Sequence, residues 1–162
     1  MKSFNRLATL IVLIVSTAQL ALGTPLDDYV AAPDASYRYS LVQTITGTGY
    51  TVYVLDMTSQ TWRSKTEVDR TAWQHWLTII KPDKAAGNKA LLWINGGSND
   101  RPAPSSADEK FVHVALSSNS VIADLRMVPN QPLNFPDGGG PRHEDEIIAY
   151  TFDKYIATGD QT

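Results

Sequence analysis

The rhythm of apolar and polar positions changes several times along the chain. A charged start, with Lys2 and Arg6, leads into an apolar run over residues 7–15, interrupted only by Thr9. Ser16, Thr17 and Gln19 then restore polarity, and Ala21-Leu22-Gly23 closes the stretch with small residues. The run stops short of the roughly 18 residues that a membrane-spanning helix needs. Charge, apolar stretch and small residues in that order predict a secretory signal peptide over 1–23. Residues 24–36, which contain TPLDDYVAAP, carry prolines and no period, and are expected to be an extended lead-in.

Regular patterning begins after that. Residues 37–45 and 50–57 are rich in β-branched and aromatic side chains and flank Gly47-Thr48-Gly49, which predicts a β-hairpin. Residues 73–80 resume strand composition after a polar stretch, and Pro82-Asp83 and Gly87-Asn88 supply turn chemistry. Ala90-Leu91-Leu92-Trp93-Ile94 is a continuous apolar run of the kind found in strands buried on both faces. A helix is expected to start at Ser106, with Glu109 completing a capping box and Phe111, Val114 and Ala115 forming its core face. Residues 121–127 read as another strand. The Pro- and Gly-rich stretch 128–141 is a long loop, a feature of functional or mobile segments.

Over residues 144–158, Ile148, Phe152 and Ile156 recur at four-residue spacing beside Ile147 and Tyr155, giving an apolar helical stripe that Gly159 ends. The whole predicts an α/β fold, a β-hairpin followed by β-β-α-β-α, with an antiparallel start merging into right-handed crossovers. A strand after the last helix would complete the second crossover, so residues 37–162 are expected to be the N-terminal part of a larger domain.

Composition narrows the chemistry. The 162 residues hold no cysteine, which removes disulfides, thiol nucleophiles and sulfur-ligated metals. Fourteen Lys and Arg stand against 17 Asp and Glu. Without Lys2 and Arg6 the balance is 12 against 17, so a basic nucleic-acid footprint is absent. No later segment is apolar and long enough to span a membrane, and no Asn-x-Ser/Thr acceptor occurs. His75, His113 and His143 are too far apart for a local metal pair, so no metal or cofactor is implied. His75 reads as a strand residue and His113 as a helix-face residue; the acidic cluster after His143 suits a helix first turn. Gly47-Thr48-Gly49 opens no helix and is no phosphate loop. The four tryptophans read as core, with an aromatic subsite as the other reading.

The sharpest local feature is Asn95-Gly96-Gly97-Ser98 at the exit of a strand. Glycines let main-chain amides turn toward a ligand, so Gly96 and Gly97 are candidate oxyanion donors; a tight turn is the other reading. No Gly-x-Ser-x-Gly nucleophile turn occurs, and Ser98 is not assigned as catalytic. Arg126, at the end of the strand 121–127, sits where open α/β sheets place ligands. It either pairs an anionic group or braces its loop through Asp124 or the acidic cluster after Arg142. Asn130 and Gln131 offer amide contacts beside it.

The runs YTVYVLDMTSQTW, VDRTAWQHWLTIIKPDK, ALLWINGGSND, DLRMVPNQPL and EDEIIAYTFDKY occur in that order. Together they resemble the PhoPQ-activated pathogenicity-related protein family, from about Leu26 to Asp160. The resemblance implies an exported protein of the α/β-hydrolase superfamily, longer than this chain, with its serine-bearing turn beyond Thr162. It maps the glycine pair onto Gly96 and Gly97 and an arginine-asparagine-glutamine set onto Arg126, Asn130 and Gln131. A longer form would cleave an ester or amide bond, whereas this chain alone lacks the nucleophile. A secreted signalling or binding protein that keeps the fold without catalysis is the alternative. Substrate and protein partner are left open.

Overall fold

A computed structural model describes residues 24–160; the expected signal peptide lies outside the described residues. The described part up to Pro33 groups apart from the rest. Here the expected extended lead-in is instead a short helix, α1 (Pro25–Ala31). Thr24 and Asp27 form a reciprocal capping box, with Thr24 N–H donating to Asp27 Oδ2 at 2.7 Å and Asp27 N–H donating to Thr24 Oγ1 at 3.3 Å. Pro25 stands in the first turn, where its missing N–H costs nothing, so it starts the helix rather than breaking it.

From Asp34 onward the chain builds a five-stranded sheet in the order β1-β2-β3-β5-β4. The strands are β1 (Arg38–Gly47), β2 (Tyr50–Thr61), β3 (Ala72–Pro82), β4 (Ala90–Ile94) and β5 (Val121–Leu125). The expected hairpin is present: β1 and β2 pair antiparallel from Gly47↔Tyr50, across a turn where Gly49 takes φ +84°. β3 pairs antiparallel with β2 and with β5. β4 and β5 are parallel, and α2 (Glu109–Ser118) connects them. Val52, Val54, Ile80 and Ile122 lie side by side in the registers Val52↔Ile80 and Ile80↔Ile122, and Phe111 and Ala115 of α2 pack on them as one core.

Three expectations need correction. β4 has the expected bounds but lies at the sheet edge; Leu91 is 44% and Leu92, on the opposite face, 55% exposed, so it is not buried on either face among the described residues. An apolar run states what a strand can bury, while the neighbours that bury it belong to the tertiary structure. The N-cap of α2 is Asp108, whose Oδ1 accepts from Lys110 N–H at 3.0 Å, rather than Ser106. Val112, not Val114, joins Phe111 and Ala115 at the sheet, because α2 presents the other side of its apolar arc.

The stretch after β5 is better organised than a long loop. β6 (Leu133–Asn134) and β7 (Pro141–Arg142) pair across it. Asp69 holds β6 by accepting from Asn134 N–H at 3.0 Å and Asn134 Nδ2 at 2.7 Å. A second core gathers Trp62, Val68, Leu133, Phe135 and Ile147, with Trp73 and Tyr150 against it. Ile147 and Tyr150 come from α3 (Glu144–Thr158), which ends at Gly159 with φ +73° as expected. Of the expected stripe, Ile147 is buried, while Ile148, Phe152 and Ile156 are 52%, 63% and 81% exposed. Ile147 and Tyr150 offer a second apolar line on the same helix, and the β6–β7 aromatic cluster selects it. Among the described residues, no helix is long and apolar enough to cross a membrane.

Candidate functional site

The ends of the two parallel strands set the site. Beyond β4 and β5 their exit loops run side by side, joined by Asn95 N–H to Leu125 O at 2.7 Å, Met127 N–H to Gly96 O at 3.1 Å and Val128 N–H to Asn95 O at 3.1 Å. These bonds use the carbonyls of Asn95 and Gly96. Among the described residues, no group accepts from the amides of Gly96 and Gly97. Both glycines are exposed, and Gly97 has φ +131°, a conformation that side-chain-bearing residues rarely adopt. A Cβ on Gly96 would stand 3.3 Å from Glu144 Oε1.

Positive φ angles recur around this loop at residues with side chains: Asp100 (61°), Met127 (63°) and Glu144 (33°). Such positions cost about 1–3 kcal/mol each and persist only where the surroundings impose them. Here Met127 is buried and bonded to Gly96 O. Glu144 N–H donates to Gln131 Oε1 at 2.9 Å, and Gln131 Nε2 donates to Glu144 Oε1 at 3.2 Å.

A cavity of about 560 Å³ opens beside the glycines, with Trp76, Arg101, Asp108 and Arg126 in its wall. Trp76 Nε1 donates to Arg101 O at 2.8 Å and so ties the stretch ahead of α2 to β3. The amide of Lys110, which Asp108 caps, holds the Asp108 carboxyl below its ordinary range. Arg126 Nε donates to Asp124 Oδ2 at 2.7 Å, and Asn95 Nδ2 donates to Asp124 Oδ1 at 2.6 Å. Asp124 is buried beneath the cavity wall. A buried carboxylate needs such partners, so the bracing reading of Arg126 holds for Nε, while its two Nη groups make no hydrogen bond to a described residue.

Of the residues singled out in the sequence, Gly96, Gly97 and Arg126 meet at the cavity, whereas Asn130 and Gln131 are not in its wall. Asn130 is buried and clips loop to sheet: Gln74 N–H donates to its Oδ1, and its Nδ2 donates to Gln74 O and Met127 O, each at 2.9 Å. Gln131 anchors the start of α3, as its bonds to Glu144 show. His143 stands at that helix start, where Glu146 Oε2 accepts from its N–H at 3.0 Å.

Sequence alone assigned no site role to Arg101 or Asp108, placed Trp76 only within the aromatic-subsite reading, and named Asn95 only as part of the glycine loop. His75 deserves separate treatment, because its Nε2 lies 2.8 Å from Ser59 Oγ and its Nδ1 3.1 Å from Arg126 O. Burial pushes its pKa down, so the ring is neutral, donates from Nδ1 to the carbonyl and accepts the Ser59 hydroxyl at Nε2. With 2% exposure and no place in the cavity wall, the pair braces the main chain at Arg126. Among the described residues, no group of three or more His, Cys, Asp or Glu could hold a metal ion.

Comparison with known proteins follows this geometry. The family profile described as PhoPQ-activated pathogenicity-related protein matches residues 26–162. A curated relative, autocrine proliferation repressor protein A of Dictyostelium discoideum, is 40% identical over 148 residues, which are 91% of this chain and 30% of the relative. The chain thus spans about a third of that protein's length. No solved structure matches.

Proposed function

The chain belongs to the PhoPQ-activated pathogenicity-related protein family, and from that membership we propose that it supplies the oxyanion-binding side of an exported α/β-hydrolase-like protein. In this reading the nucleophile comes from polypeptide outside the described residues. The observation that carries it is the exposed Gly96-Gly97 pair, with amides unclaimed by any described residue, in the wall of a cavity at the ends of parallel strands. Open α/β sheets bind their ligands at that end. The leader-like pattern of residues 1–23 supports export.

The chemistry is acyl transfer. A serine oxygen adds to the acyl carbon of an ester or amide while a base takes its proton, and the carbonyl oxygen becomes an anion. Two preorganised amides stabilise that anion, and the alcohol or amine then leaves with a proton returned by the base. Gly97 is the sensitive position, because its φ would force a side-chain-bearing residue to shift the main chain. In the longer protein that contains this chain, Gly97→Val is expected to lower kcat on p-nitrophenyl butyrate by about tenfold or more with an unchanged circular dichroism spectrum. Unchanged turnover by the folded variant removes the oxyanion role.

A second reading rests on the relative, whose name describes an autocrine repressor of proliferation. An exported signalling protein would keep this scaffold and dispense with turnover. Failure of the longer protein to react with a fluorophosphonate, together with growth repression by the Gly97→Val variant, favours signalling over hydrolysis.

A further inference from the structure

We propose that the cavity beside Gly96 and Gly97 is a subsite for a carboxylate on the ligand, received by Arg126 and Arg101. The inference rests on the reading of this cavity as the substrate site and adds the chemical class of what enters it. Three observations support it.

The first is the division of labour within Arg126. Its Nε is committed to Asp124 Oδ2 at 2.7 Å, which fixes the plane of the guanidinium, and its side chain remains 35% exposed. The Nη groups at the end of that plane form a ready pair of parallel donors, a geometry that matches the two oxygens of a carboxylate. The second is Arg101. Its carbonyl is anchored by Trp76 Nε1, which holds the residue at the cavity, and no carboxylate among the described residues pairs with its guanidinium. The third is the scarcity of competing acceptors. Asp108 is the carboxylate in the wall; its hydrogen bonds go to its own helix, with Oδ1 on Lys110 N–H and Oδ2 3.3 Å from Lys110 Nζ, and Arg126 acts on it only through space.

Asp124 neutralises one positive charge from below and Lys110 offsets Asp108, so the cavity keeps about the charge of a single guanidinium. That balance suits a singly charged carboxylate better than a doubly charged phosphate.

The test is a titration of the full chain followed by proton–nitrogen NMR, with N-acetylglycine as the probe and N-acetylglycinamide and inorganic phosphate as comparators. N-acetylglycine is expected to shift the Gly96 and Gly97 amides and the Trp76 indole in a saturable way, and the neutral amide to leave them in place. Arg101→Gln, at an exposed position, is expected to weaken binding by about fivefold or more with an unchanged melting temperature. Arg126→Lys, which keeps a charge for Asp124 and loses the fork, is expected to weaken it further.

Equal shifts with the amide, stronger binding of phosphate, absence of shifts, or binding indifferent to both substitutions would each overturn the proposal. The readout needs no nucleophile and no turnover. Carboxylate binding by a protein whose longer form is silent on acyl esters leaves the subsite standing and removes the hydrolase reading. Hydrolysis of neutral esters without carboxylate binding does the reverse.

Discussion

Asn130 and Arg126 show how far a single side chain can be read before its surroundings are known. Both were visible as polar residues after a strand, and Arg126 does reach the cavity. Asn130 instead spends its amide on main-chain groups of Gln74, 56 positions away, and of Met127. Its truncation leaves a donor and two acceptors unpaired in a buried site, at about 1–3 kcal/mol for each group left unsatisfied. Asn130→Ala is therefore expected to lower the unfolding free energy in urea by about 2–4 kcal/mol. An unchanged midpoint and slope would show that the clip contributes nothing. Sequence could name the amide but not its partners, because hydrogen bonds across such a separation leave no periodic trace.

At the scale of the element, α3 was legible in extent, while its orientation was left to the tertiary structure. Acidic residues in its first turn and Gly159 after its last mark its ends. Two apolar lines compete on it, and only the cluster of Phe135, stacked on Tyr150 with centroids 3.9 Å apart, decides which one is buried. Polar ties complete the docking: Lys154 Nζ donates to Glu67 Oε1 at 2.9 Å, and Arg63 Nη1 to Asp160 Oδ2 at 2.7 Å. The hydrogen bond from Lys154, followed by those from Ser64, brings the Glu67 carboxyl down from an ordinary value of 4.5 to about 2. Its folded-state value is thus depressed, so the stabilisation is present above about pH 4.5 and is lost as pH falls toward 2. Both side chains retain solvent contact, which screens the pair and keeps the effect small. Lys154→Met is expected to flatten the fall in stability across that window, as measured by urea unfolding at a series of pH values. An identical slope in the variant would rule the contact out as a cause.

For the molecule as a whole, burial separates two strands that look alike in sequence. Ile122 of β5 is 1% exposed inside the core between sheet and α2, whereas Leu92 of β4 is 55% exposed at the edge. Ile122→Ala is expected to cost about 2–5 kcal/mol, and Leu92→Lys no more than about 0.5 kcal/mol, both read by thermal and urea unfolding of this chain. A large loss from Leu92→Lys would mean that something covers β4 in solution. Alternation, apolar runs, capping residues and glycine stops were enough to place the hairpin, three further strands and the helix Glu144–Thr158, since these are properties of neighbours in the chain. Packing alone decided that β4 lies at the edge, that α3 turns Ile148, Phe152 and Ile156 outward, and that Gly96, Gly97, Arg126 and Arg101 share one cavity. Those outcomes depend on which distant surfaces meet, and no local pattern encodes a partner that lies tens of residues away.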